Sequence, residues 1–185
     1  MLKKFKTKEL VFIALMGVIL FLIEFLISSV ISTALGLPAV GFLFVIIFWT
    51  TLAVLGGIII RKIGTFTLMA FIYAFLAIPT TVFGPPGIYK IIPAVLVGFF
   101  IDIFVFIFKY RKWAYCIGAA LGQLVGLFLF IAAYFIMGFP GKEEMIQSIW
   151  FLIASYGVLA LLGAWIGIRL YSKLKNKKVV KQISN

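Results

Sequence analysis

The stretch LVFIALMGVILFLIEFLISSVISTAL, residues 10–35, carries the information that matters most for the fold. It is apolar throughout except for Glu24 and a few small hydroxyl residues near its end, and it is preceded by Lys3, Lys4, Lys6 and Lys8. About 20 apolar residues suffice to carry a helix across a bilayer. This run is longer than the apolar core of an ordinary signal peptide and carries a carboxylate, so it is expected to be retained as a first span, although Ser32, Thr33 and Ala34 resemble a small-residue cleavage site.

Beyond it, five further apolar runs follow at residues 38–60, 63–83, 91–108, 113–137 and 148–168. The chain is 65% hydrophobic and only 12% charged, with a mean hydropathy of +1.26, which excludes a soluble domain. Backbone groups in hydrocarbon must be paired within their own segment, and continuous runs of this length satisfy that as helices, not as the short alternating strands of a barrel. The expected fold class is therefore all-α, a polytopic membrane protein of six transmembrane helices. Residues 1–172 are expected to form one transmembrane domain and residues 173–185 a basic tail.

The formal net charge of +12 follows a membrane pattern. Arg61 and Lys62, then Lys109, Arg111 and Lys112, then Arg169, Lys173, Lys175, Lys177, Lys178 and Lys181 share a side with the amino-terminal lysines, and only Lys90 and Lys142 fall on the other. Such asymmetry places both termini in the cytoplasm. The basic tail suits anionic membrane lipids; without interleaved aromatic residues it does not suit nucleic acid. Trp113 and Trp165 near one interface, and Trp150, Tyr89 and Tyr134 near the other, form an aromatic belt, whereas Trp49 lies mid-span and does not belong to it.

What is missing limits the chemistry. The chain has no histidine, one cysteine (Cys116) and five carboxylates, Glu9, Glu24, Asp102, Glu143 and Glu144, so zinc chemistry and histidine-based acid–base catalysis are excluded and no metal site or cofactor is expected. A phosphate-cradling loop is absent, because Gly141-Lys142 is followed by glutamate. The chain is expected neither to hydrolyse ATP nor to be an enzyme.

Glycines at four-residue spacing, Gly118, Gly122 and Gly126 in the fifth run and Gly163 and Gly167 in the sixth, mark close helix packing, and the two runs are expected to form a tight pair. Ser28 and Ser32 make a similar small face in the first run. Glu24 sits near mid-membrane, where a carboxyl group costs about 2.5–3.5 kcal/mol on insertion scales. Two roles fit it: a structural hydrogen bond to Gln123, or contact with a ligand in a polar cavity. Asp102, in the cytoplasmic half of its run, is expected to pair with Arg61, Lys62 or Arg169. The outer connections hold the turn chemistry, Gly36-Leu37-Pro38, Gly84-Pro85-Pro86-Gly87 and Gly138-Phe139-Pro140-Gly141, and point to a structured recess on that face. Tyr89, Lys90, Tyr134, Glu143, Glu144, Trp150 and Tyr156 are candidate lining residues there, with Glu24 and Gln123 deeper, and Lys90 is placed to meet a carboxylate on a substrate.

The run Lys6-Thr7-Lys8-Glu9-Leu10-Val11-Phe12-Ile13-Ala14-Leu15-Met16-Gly17, the segment Val97-Gly98-Phe99-Phe100-Ile101-Asp102 and the packing of six runs into one short chain resemble the substrate-specific S components of energy-coupling-factor (ECF) importers. The resemblance spans nearly the whole chain. It implies capture of a vitamin or similar small molecule from outside, with a separate transmembrane scaffold and two ATPase subunits driving release inside. Members often dock the scaffold through an Ala-x-x-x-Ala face of the first helix; here Ala14 is followed by Val18, so only Ala14 is carried over as a docking residue. The competing expectations are a structural membrane protein of the MreD kind, a stand-alone transporter using Glu24 as proton carrier, and a lipid-active enzyme, for which clustered polar groups are lacking.

Overall fold

The computed structural model describes residues 4–35, 38–80, 86–136 and 149–184, with their side chains except at 28–35, 38–44, 134, 179, 181 and 184. The outer turn residues 36–37, 84–85 and 138–141, the charged residues Lys142, Glu143 and Glu144, and the side chains of Ser28, Ser32 and Tyr134 lie outside the described residues.

The described chain is helical: α1 (Thr7–Leu35), α2 (Pro38–Ile60), α3 (Thr65–Ala77), a 3-10 turn (Ile88–Lys90), α4 (Ile91–Ile107), α5 (Lys112–Ile136), α6 (Ile149–Leu174) and α7 (Lys178–Ser184). Among the described residues four helices are long and apolar enough to cross a membrane, within Thr7–Ile27, Ile88–Ile107, Lys112–Ala133 and Ile149–Leu174. The main packing contacts join α1 to α2, α2 to α6, α6 to α5, α5 to α4, α4 to α3 and α3 back to α1. The six helices thus close a ring. In the half that holds the chain termini its centre is filled by Ile13, Met16, Val54, Ile58, Phe66, Met69, Ile101, Val105 and Tyr115.

The third expected span is corrected. In place of a helix over residues 63–83, α3 has 13 residues, about 20 Å at 1.5 Å per residue, against a hydrocarbon core of about 30 Å. Ile78 is still helical at φ −49° and ψ −53°, but Pro79 after it has no N–H to give the Phe75 carbonyl, so the hydrogen-bond ladder stops there. A helix that ends early leaves carbonyls unpaired where water is scarce. Here the Lys90 ammonium donates to the carbonyls of Ala77 (3.0 Å) and Thr80 (2.6 Å), and the Gly87 amide donates to Ile78 O (3.0 Å).

The other end of α3 corrects the role of Asp102. Its carboxylate accepts from the amides of Phe66 (3.3 Å) and Thr67 (2.8 Å) and from the Thr67 hydroxyl (2.7 Å). It caps α3 from a different helix, and its partners are backbone donors and a hydroxyl, not Arg61, Lys62 or Arg169. Gly64, at φ 91°, turns the chain into α3 in a conformation that costs a side-chain-bearing residue but not glycine.

The glycine stripes do not face each other. A Cβ at Gly122 would stand 2.5 Å from the Ile101 side chain, and one at Gly126 2.6 Å from that of Val97, so the α5 stripe seats α4. A Cβ at Gly167 would stand 2.6 Å from Thr51 O, and Gly163 lies on Thr50 and Ile47, so the α6 stripe seats α2. Which helix fills a glycine groove is decided by ring order, and that is set by all six helices together.

At the terminal end, Glu9 accepts from Lys62 Nζ (2.6 Å) and from the Lys6 amide (2.6 Å), while Lys62 also reaches Lys4 O (2.7 Å). This clasp ties the start of α1 to the α2–α3 turn. Val180 and Ile183 of α7 pack with Phe5 against the same core, and Lys8 Nζ donates to Gln182 O. We predict that Glu9→Gln, which keeps the size and removes the charge from these bonds, lowers stability by about 1–2 kcal/mol, read as a drop in melting temperature in detergent.

Candidate functional site

Going up the ring from this filled core, the packing opens into a pocket with about 570 Å³ of empty space, including the part open to the surroundings. All six helices of the ring line it: Glu24 of α1, Val45, Ile46 and Trp49 of α2, Tyr73 of α3, Ala94 and Val97 of α4, Gln123, Gly126, Leu127 and Phe130 of α5, and Tyr156 of α6. Trp49 and Gln123 stand at the middle of their helices, and the others lie in the half of the bundle remote from the termini. Because the helices form a ring, only a site at its centre can be touched by all six.

Glu24 is 3% exposed. The Tyr73 hydroxyl is within hydrogen-bonding reach of its carboxyl group, and Lys90 and Tyr156 lie close enough to act on it electrostatically. Trp49 meets Tyr73 edge to face, with ring centroids 6.4 Å apart and planes at 80°. The pocket therefore offers one carboxyl group, one carboxamide and two phenols set in apolar and aromatic walls. Apolar walls with a few polar groups are the usual lining of small-molecule sites.

Of the expected lining residues, the structure brings Glu24, Gln123 and Tyr156 together. Tyr89 is half-buried with its ring over Gly87, Lys90 is buried at the end of α3, and Trp150 is 79% exposed at the start of α6; none of the three lines the pocket. Ala14 is half-buried, beside the exposed Val11, Leu15 and Val18 of α1. Trp49, Tyr73 and Phe130 are pocket residues that the sequence did not bring forward as candidates. A signal existed for two of them: a tryptophan and a tyrosine in mid-run, away from the interfaces where such residues anchor. We predict that Trp150→Ala leaves ligand capture by the purified protein unchanged, as measured by ligand-binding titration in nanodiscs.

The family model described as the permease component of an ABC-type cobalt transport system matches residues 8–128, more than half of the chain. The chain belongs to that family. No curated protein and no solved structure matches it. As a member of this permease family, the protein is a membrane component of an ABC-type transporter, multi-pass in the cell membrane, and transport is the family's business. The matched region of the permease runs from the first turn of α1 into α5 and includes Glu24, Trp49, Tyr73 and Gln123; Phe130 and Tyr156 lie beyond it.

Proposed function

We propose that this permease-family protein is the substrate-capturing subunit of an ECF-type importer. In this reading the six ring helices sit in the membrane with both termini in the cytoplasm, and the pocket receives a vitamin or similar small molecule from outside. A transmembrane scaffold and two ATPase subunits then supply the energy, since the chain carries no phosphate-binding loop of its own. The observation that carries the reading is the pocket shared by all six helices, in the half of the bundle away from the basic connections.

The family description names cobalt, and the pocket's donors bear on that. A divalent transition metal such as cobalt needs several nitrogen, sulfur or oxygen donors converging in a defined geometry. The chain has no histidine, Cys116 does not line the pocket, and among the described residues no cluster of three potential ligands occurs. One carboxyl group in an aromatic wall favours an organic cargo, neutral or cationic, over a bare metal ion.

The test is purification of the tagged protein from its native membranes in mild detergent, with mass spectrometry of co-purifying proteins and released small molecules. Two ATPases, a membrane scaffold and a bound organic molecule are the expected result. Recovery of cell-wall or cytoskeletal proteins with no ligand would overturn it, and tight binding of cobalt without any organic cargo would overturn the substrate class.

A further inference from the structure

Both ends of α3 are closed by side chains from the segment that follows it: Asp102 at its amino end and Lys90 at its carboxyl end. Relative to their own helix these two charges are badly placed. Lys90 precedes the first residue of α4, where the helix dipole is positive, and Asp102 lies in the last third of α4, towards the negative end. Relative to antiparallel α3 each charge is correct. The carboxylate meets the positive end and the ammonium the negative end.

The spacing also fits. Lys90 and Asp102 are twelve residues apart, about 18 Å, and the groups they bind, Phe66 N and Ala77 O, are eleven residues apart along α3, about 17 Å. One turn before Asp102, a Cβ on Gly98 would stand 2.6 Å from Phe66 O and 2.8 Å from Thr67 Cα. The two backbones touch there, which is what brings the Asp102 carboxylate within reach of the amides. Helix α3 is therefore held at two points, and its sliding or rotation would break bonds at both. Between those points α3 carries Tyr73, its one pocket residue, to Glu24 and Trp49.

We propose that Asp102 and Lys90 are positioning residues for the pocket: they touch no ligand, and by clamping α3 at both ends they hold Tyr73 against Glu24 and Trp49. The consequence for substrate affinity rests on the capture role proposed above; the geometric claim does not. The test uses Trp49 as an optical reporter. Trp113, Trp150 and Trp165 are 42%, 79% and 52% exposed and are replaced by phenylalanine, which leaves Trp49, 8% exposed, as the sole tryptophan. In nanodiscs, Asp102→Ala and Lys90→Met should each shift the Trp49 emission and raise its quenching by acrylamide, with Asp102→Asn, which keeps one acceptor oxygen, between the variant and the parent. Glu9→Gln is the control for loosening at a distance: it should lower the melting temperature and leave the Trp49 signal in place.

If Asp102→Ala does not fold, Thr67→Val removes one donor to Asp102 and should give the same optical shift in smaller measure. An unchanged Trp49 signal in the folded clamp variants, or an equal shift in Glu9→Gln, would overturn the inference. Because the readout needs no ligand, such a failure leaves the capture role standing. Conversely, a shifted Trp49 in a protein that binds no small molecule upholds the clamp and sinks the capture role.

Discussion

Glu24→Gln is expected to weaken substrate capture by about 10–100-fold, the loss of one charge-assisted hydrogen bond, while leaving the protein as stable as before or more so. A buried carboxyl group in an apolar wall is costly, and acids at membrane depth persist mainly where they serve a pathway, a ligand or a buried partner. Glutamine keeps the size of the side chain and an oxygen that can still accept from the Tyr73 hydroxyl. It therefore removes the charge without orphaning its neighbour. If Glu24 were only a structural partner of Tyr73, glutamine would leave affinity unchanged. Ligand titration and thermal unfolding of the same preparation separate the two outcomes, since a functional acid gives lost affinity at undiminished melting temperature.

The largest effect on folding is expected at Gly163. A Cβ there would overlap Thr50 Oγ1 and stand 2.6 Å from Ile47 O, and the same residue's carbonyl accepts from Thr51 Oγ1 at 2.9 Å. The obstacle is partly backbone, so no rotamer change relieves it. Gly163→Ala must push α6 away from α2, at the cost of about 1–3 kcal/mol typical of overpacking, and Gly163→Leu should fail to yield a folded protein. Adding Thr50→Ala to Gly163→Ala removes one of the two clashes and should restore part of the loss. At Gly157, in the same helix, a Cβ would meet nothing within 4 Å; Gly157→Ala should be neutral or stabilising, since alanine is the better helix former by about 1 kcal/mol. Melting temperatures of these variants test the argument. Equal behaviour at positions 157 and 163 would refute it.

Helix boundaries were legible to different degrees for identifiable reasons. The expected run 38–60 coincides with α2, and α1, α4, α5 and α6 begin or end within a few residues of expectation, α6 alone running six residues further to Leu174. In α3 hydropathy misled: the uncharged sequence continues past Ile78 to Phe83, yet Pro79 ends the helix. The proline was in plain view, but a sum over side-chain hydropathy does not register a missing backbone N–H. The pocket was legible in part. Glu24 announced itself by its cost, and Gln123 and Tyr156 by their polarity in apolar runs; Trp49 stood out as mid-span without a role, and nothing in its run marked Tyr73 as facing the same space.

Some properties could be read from the amino acids alone: a helical membrane protein, basic residues clustered between alternate apolar runs, and a sequence with no histidine and no phosphate-cradling loop motif. These follow from transfer energies and side-chain inventories, which are properties of single residues and short runs. Other properties emerged only from the packed helices. Asp102 binds the amides of α3 and not a cation, Lys90 closes the same helix at its other end, and the glycine stripes seat α4 and α2. One carboxyl group, one carboxamide and two phenols, from four different helices, meet in a single pocket. Backbone donors and acceptors carry no letter in a sequence, and the order of helices around a ring is set by how six surfaces fit at once, so neither can be read one segment at a time.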